Sequence, residues 1–210
     1  MRPMRIYTRK GDDGTTGLLF GGRVAKHSPR IEVNGAVDEA QAALGLARAE
    51  AEAGSELDEL LVDLERQLYV LMAEVATEPA NRPKLVAGES LVTESMVRWL
   101  EERVDRLAER FPMPTEFVVP GANRRSAALD VARTVVRRAE RAFVAGMGVA
   151  EAPSFAGPYL NRLSDLLWVM ARWQDGAAHL SARSAEPAGE RPPPERKPRS
   201  GPAPPRHEGA

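Results

Sequence analysis

Residues 56–78 read ELDELLVDLERQLYVLMAEVATE, and the spacing of their apolar side chains decides the fold. Leu57, Leu60, Leu61, Leu64, Leu68, Leu71 and Met72 recur at intervals of three and four, which brings them to one face of an α-helix. A half-buried strand would alternate at every second residue, and this run does not. Pro79 lacks an amide hydrogen and stops the pattern.

Working outward, Ser28-Pro29 supplies a cap residue and a proline suited to a first helical turn, and predicts a helix over residues 30–53 that closes before Gly54. Met96, Val97, Leu100, Val104 and Leu107 mark a third helix from Thr93 to Phe111-Pro112. A fourth follows Pro120-Gly121. A fifth runs over residues 158–175, with Leu160, Leu163, Leu167 and Met170 inward and Gly176 as its stop. Five amphipathic helices with mostly short links, and no strand-like alternation of any length, predict an all-α five-helix bundle.

The chain of 210 residues has room for one such domain with a sizeable core. Three segments are expected: a glycine-rich N-terminal loop over residues 1–29, the bundle over 30–176, and a tail over 177–210. From Glu186 onward Pro, Arg, Glu, Gly and Ala leave almost nothing to bury, so the tail is expected to be disordered, either a solvated extension or a tether. Acidic and basic residues nearly cancel at a net charge of −1, so no global field draws the chain to nucleic acid or to an anionic membrane. With no cysteine there is no disulfide framework, thiolate metal site or cysteine nucleophile; His27, His179 and His207 are too scattered for a metal cluster. No apolar run approaches the length of a membrane span, and the start lacks a signal-peptide core, so a soluble cytoplasmic protein is expected.

Positive charge is local instead. Arg133, Arg137, Glu140 and Arg141 fall within an arc of about 100° on the fourth helix, with Val131, Val135, Ala139 and Ala142 expected on the opposite, buried side. Planar guanidinium groups match phosphate oxygens in pairs, so the face reads as an anion site with a polyphosphate as its natural ligand. The plainer reading is a solvated face with Glu140 pairing to Arg137 or Arg133.

Residues 8–22, Thr8 to Gly22, hold five glycines with Thr8, Lys10, Thr15 and Thr16 between them, the ingredients of an anion-holding loop. It is not a Walker A loop, because the glycine spacing differs and no Lys-Ser/Thr pair follows the last glycine. Read alone it is a flexible N-terminal arm. Asn34, Asp38 and Gln41 make a polar line on the first helix, and Arg133 is the expected partner of Asp38. Asn161 in the fifth helix offers a donor and an acceptor for a nucleotide, or closes a helix start. Phe117 in the extended run Phe117-Val118-Val119-Pro120-Gly121 reads as core packing on its chemistry alone.

Taken together these segments resemble the PduO-type ATP:cob(I)alamin adenosyltransferases, also called corrinoid adenosyltransferases. The resemblance runs from Ile6 to about Arg172 and rests on five motifs in order: the segment from Tyr7 to Leu18; Val37-Asp38-Glu39; Phe117 to Gly121; Ala132-Arg133-Thr134 with Arg137-Arg138-Ala139-Glu140-Arg141; and the segment from Leu160 to Asp165. It implies a homotrimer with active sites between subunits, in which the 5′-deoxyadenosyl group of ATP moves to the cobalt of reduced cobalamin and triphosphate leaves. It implies that Thr8, Arg9, Lys10, Gly11, Thr16, Gly17, Lys26, Arg137, Arg138, Glu140, Arg141 and Asn161 hold ATP, with Mg²⁺ bound mainly through the phosphates and Glu140. It implies also that Arg133 pairs with Asp38 across the subunit boundary and that Phe117 lies against the corrin, displacing its lower axial ligand. A flavoprotein reductase and an adenosylcobalamin-dependent acceptor enzyme are the implied partners, and no nucleic acid or membrane is. Asp130 stands where the family commonly has histidine, Gln41 replaces a frequent asparagine, and Ala122 interrupts a common glycine pair.

Two other readings belong to different classes. Phosphoryl transfer from ATP would want an acceptor-activating base and metal-holding acids at a strand end, which this helical pattern does not offer. A non-enzymatic helical nucleotide- or nucleic-acid-binding module would use Arg124, Arg125, Arg133, Arg137, Arg138 and Arg141; their spread over more than one face and the near-zero net charge argue against it.

Overall fold

Helix α2 (Glu56–Val75) forms where the leucine stripe predicts it. The Ser55 hydroxyl accepts a hydrogen bond from the Asp58 amide at 3.3 Å, and Glu56, Asp58 and Glu59 place negative charge at the helix's positive end. Leu57, Leu61, Leu64, Leu68 and Leu71 are buried, while Leu60 and Met72 flank the stripe half-buried. The helix ends at Val75, short of the expected Glu78, because its last carbonyls are used by other parts of the chain. The Ala76 carbonyl accepts from Leu19 N at 2.9 Å, and Arg30 Nη1 donates to the carbonyls of Val75 and Thr77 at 2.7 and 2.8 Å.

The computed structural model describes residues 7, 9–147, 154–176, 178 and 180–182. Thr8 and the Pro-rich stretch from Glu186 onward, both given roles above, lie outside the described residues. Four further α-helices complete the bundle: α1 (Pro29–Ala49), α3 (Glu94–Ala108), α4 (Arg124–Met147) and α5 (Ala156–Asp175). Helix α1 stops at Ala49 rather than residue 53, and the link to α2 turns at Gly54, whose φ of 73° is in the left-handed region. After Pro79 ends the helical pattern, the chain makes a 3-10 turn over Pro79–Lys84. Among the described residues no helix is long and apolar enough to cross a membrane.

Helix α4 packs between α1 and α5, α2 covers α1, and α3 covers α5. The α1–α4 pair runs antiparallel. A Cβ built on Gly146 would lie 2.9 Å from Val33 Cγ2 and 3.1 Å from the Pro29 carbonyl oxygen, so only glycine lets the end of α4 meet the start of α1 this closely. Glu74 is a buried carboxylate with three donors: Arg82 Nη2 at 2.8 Å, Val92 N at 2.8 Å and Ser154 Oγ at 2.6 Å. It fastens the end of α2 to the segments that enter α3 and α5, and the donors compensate its burial.

Two short antiparallel pairs add to the helices. β1 (Thr15–Gly17) pairs with β2 (Arg23–Ala25), Thr16 opposite Val24, so the glycine-rich segment is a hairpin rather than an open arm. β3 (Val118–Val119) pairs with β4 (Leu180–Ser181), which lies inside the stretch expected to be tail. Strands this short carry too few side chains to show alternation, which is why the sequence pattern does not reveal them.

Candidate active site

The hairpin is held by its own polar residues. Thr15 donates to Asp13 Oδ1 from its amide (2.9 Å) and its hydroxyl (2.7 Å), and these bonds with nearby Arg23 hold the Asp13 carboxyl below its usual range. Arg23 donates through Nε to Thr15 Oγ1 at 3.0 Å and through Nη2 to the Lys10 carbonyl at 2.5 Å. Lys26 follows β2 directly, its amide bound to the Gly14 carbonyl at 2.9 Å. Its side chain folds over Gly11, where an added Cβ would sit 3.2 Å from Lys26 Nζ and 3.1 Å from the Thr15 carbonyl oxygen. The loop thereby brings Lys26 to Gly11, and Thr16 and Gly17 occupy the paired strand beside them.

Helix α4 carries its arginines differently from the simple two-faced expectation. Leu129, Ala132, Val136 and Ala139 are fully buried and Val135 nearly so, whereas Val131, expected inside, is 50% exposed and Ala142 only half-buried. A helix gripped by neighbours on two sides buries a wide arc between them, so the arginine face lies beside the core instead of opposite it.

The arginines then separate by partner. Arg138 pairs with Glu39 of α1. Arg133, half-buried, donates through Nε to Asp130 Oδ1 at 3.1 Å. Arg137 is exposed and its guanidinium has no partner among the described residues; Arg141, also exposed, donates only to the Arg137 carbonyl, at 3.1 Å. Glu140 pairs with neither Arg133 nor Arg137. Its Oε1 accepts from Asn161 Nδ2 at 2.9 Å, and Arg162 donates in turn to Asn161 Oδ1. Asn161 lies well inside α5, so it closes no helix start and instead links α5 to the arginine face. Arg137 and Arg141 stand there, about 6 Å apart along the axis, with no carboxylate partner among the described residues.

Toward the other end of α4 lies an open cleft of about 710 Å³, lined by Phe117, Val118, Asp130, Arg133, Trp168 and Arg172 among others. Phe117 is 90% exposed, which overturns core packing for it. Its backbone is held by the β3–β4 pair and by the Ala182 amide, which donates to the Phe117 carbonyl at 2.7 Å. The cleft's polar wall is a charge network that sequence patterns missed apart from Arg133 and Asp130. Arg172 Nη2 donates to Asp130 Oδ2 at 2.6 Å, and Arg172 Nε lies 2.8 Å from Asp175 Oδ2. Arg172, Asp130 and Asp175 are all buried. Arg172 and Asp175, charged residues in the largely apolar second half of α5, are the signal that could have disclosed them.

The expected Asp38–Arg133 pair is not made within the chain. Asp38 is exposed and has no partner among the described residues, so nothing inside the bundle has to answer it. On the α4 wheel Arg133 and Arg138 stand about 140° apart; Arg138 reaches Glu39, next to Asp38, while Arg133 turns toward α5. On the same line Gln41 donates to the Glu65 carbonyl at 3.3 Å and Asn34 Oδ1 is buried without a hydrogen-bond partner among the described residues. No group of three or more histidine, aspartate or glutamate side chains suited to a metal occurs among the described residues.

The chain is similar to known proteins over most of its length. The profile described as cobalamin adenosyltransferase matches residues 6–174. The chain is 40% identical over 179 residues to the corrinoid adenosyltransferase of Citrobacter freundii, covering 85% of this chain and 99% of that one. It is 40% identical over 173 residues to the corrinoid adenosyltransferase of Mycobacterium tuberculosis, 80% and 87% of the two chains. Among solved structures, a variant of the PduO-type ATP:corrinoid adenosyltransferase from Lactobacillus reuteri, complexed with cobalamin and ATP, superposes with a TM-score of 0.73 at 30% identity, covering 81% of this chain and 93% of that one.

Proposed function

The chain belongs to the cobalamin adenosyltransferase family, and we propose that it transfers the 5′-deoxyadenosyl group of ATP to the cobalt of reduced cobalamin, releasing triphosphate. The carrying observation is the division of α4: unneutralised Arg137 and Arg141 toward one end, and the cleft with exposed Phe117 toward the other. Eight residues separate Arg133 at the cleft from Arg141, about 12 Å of helix, so one rigid element spans the corrinoid and the phosphates.

The reaction needs little covalent chemistry from the protein. The cobalt(I) lone pair attacks C5′, the C5′–O bond breaks, and its electron pair leaves with the triphosphate oxygen. No general base is required, and the protein's work is positioning and stabilisation of the leaving charge. Arg137, Arg141, Lys26 and the hairpin residues Arg9, Lys10, Gly11, Thr16 and Gly17, with Thr8, hold the triphosphate. Arg138 supports them through its Glu39 pair. Mg²⁺ fits the donors present: it prefers one or two carboxylates plus phosphate oxygens, and Glu140 has one oxygen bound to Asn161 and the other without a hydrogen bond among the described residues. Phe117 lies against the corrin and displaces the lower axial ligand, which makes cobalt(II) easier to reduce.

The working form is a homotrimer with its sites between subunits. Leu46 and Val131, each seven residues from the Glu39–Arg138 pair, are 56% and 50% exposed, apolar side chains on α1 and α4 that a subunit boundary would cover. The Asp38 and Arg133 side chains, turned apart within one chain, meet across that boundary. A flavoprotein reductase supplies the electron in the cytoplasm, and an adenosylcobalamin-dependent enzyme takes the product.

The test is anaerobic. Pre-reduced cobalamin, ATP, Mg²⁺ and the protein are mixed, and the visible spectrum is followed with triphosphate assayed in parallel. Adenosylcobalamin and triphosphate in equal amounts establish the activity; an unchanged cobalt(I) spectrum from trimeric, ATP-binding protein refutes it.

A further inference from the structure

We propose that Asp130 is a positioning residue, which holds Arg133 by its Nε so that the two terminal nitrogens are presented to Asp38 of the neighbouring subunit. The inference rests on the cross-subunit pairing of Arg133 and Asp38 proposed above.

Asp130 is 5% exposed and uses both carboxylate oxygens, Oδ1 toward Arg133 Nε and Oδ2 toward Arg172 Nη2. Arg172 is itself buried, lies beside Asp175 and has the Trp168 ring 5.9 Å from its guanidinium carbon. Asp130 is therefore fixed from the α5 side, and its second oxygen is aimed along α4 at Arg133. A guanidinium has five donors in a rigid fork. Arg133 spends only Nε within the chain, and Nη1 and Nη2 have no partner among the described residues.

Asp38, the exposed carboxylate without a partner among the described residues, supplies the complementary acceptor. Asp130 and Asp175 offset Arg133 and Arg172, so a neutral residue at 130 would leave the cleft wall with an uncompensated cation and release Arg133 to other rotamers. Histidine, frequent at this position in the family, cannot accept from two guanidinium groups at once.

The experiment measures steady-state adenosyl transfer from cobalt(I), trimer mass and Tm for Asp130→Asn, Asp38→Asn, their double variant and Arg133→Lys. Asp130→Asn is expected to lower kcat about tenfold with KM for ATP unchanged and the trimer assembled; the double variant is then no slower than the slower single, because both carboxylates act through Arg133. Multiplying losses, or full turnover by Asp130→Asn, overturn the proposal, and a Tm loss without a kcat loss would reduce Asp130 to a structural ion pair. Arg133→Lys guards against misfolding, since it leaves the Asp130–Arg172–Asp175 contacts intact; it is expected to lose kcat to the same extent, and full turnover by this variant also overturns the proposal. Normal turnover and assembly by Asp38→Asn alone would fell the cross-subunit pairing itself, a failure distinct from that of Asp130.

Discussion

Arg133 and Arg137 are one turn apart on the same helix, yet their surroundings differ in kind. Arg133 belongs to a half-buried network in which Asp130, Arg172 and Asp175 balance one another. Arg137, with Arg141 a turn further on, faces solvent with no carboxylate partner among the described residues. A buried cation must be neutralised by the chain, because leaving water costs several kcal/mol per ion. An exposed one need not be, and stays available to a ligand. The same residue type is thus neutralised by the chain at one turn and left in solvent at the next, and burial makes the difference.

The largest expected effect breaks that contrast if it fails. Arg137→Ala should lower adenosyl transfer by about 10²–10³-fold with Tm nearly unchanged, checked by turnover and thermal melting on one preparation. A large Tm loss would show that Arg137 belongs to the structural network after all. Next, Phe117→Ala should slow the reaction from cobalt(II) far more than from pre-reduced cobalt(I), because a 90% exposed ring has no core role to lose. Equal losses in the two assays would deny it the ligand-displacing role.

The buried half predicts the converse pattern. Arg172→Ala leaves Asp130 and Asp175 buried with too little positive charge and should cost about 3–5 kcal/mol of stability, read from urea unfolding, with the Arg137 variant as the comparison. Smallest is Tyr159→Phe. The Tyr159 hydroxyl is fully buried without a hydrogen-bond partner among the described residues, and burial pushes its pKa well above the ordinary value. Removing it should stabilise the fold by about 1 kcal/mol. Because the folded phenol titrates later than the unfolded one, stability falls as pH rises above about 10; Tyr159→Phe should remove that part of the alkaline loss, and an unchanged alkaline melting curve would contradict it.

The helices were legible because each depends on a repeat that the chain states locally: Leu57 to Leu71 at helical spacing, Ser28-Pro29 before α1, Gly176 after α5. The ends were less so. Helix α2 closes at Val75 because Leu19 and Arg30 take up the carbonyls around it, partners from 45 or more residues away that no local pattern displays. The β3–β4 pair had the same cause, since Val118 and Ser181 meet only after the chain has folded.

For the candidate site, the sequence by itself determined which residue types were present and how they were spaced: arginines in one arc of α4, glycines and threonines before α1, and the motifs that carry the family resemblance. Tertiary structure decided which of those arginines remain free. Helical periodicity sets angles about one axis, whereas neutralisation depends on what the neighbouring helices bring to that axis. Only the packing of α4 between α1 and α5 places Glu39 at Arg138 and Asp130–Arg172 at Arg133, and so leaves Arg137 and Arg141 with no carboxylate partner among the described residues.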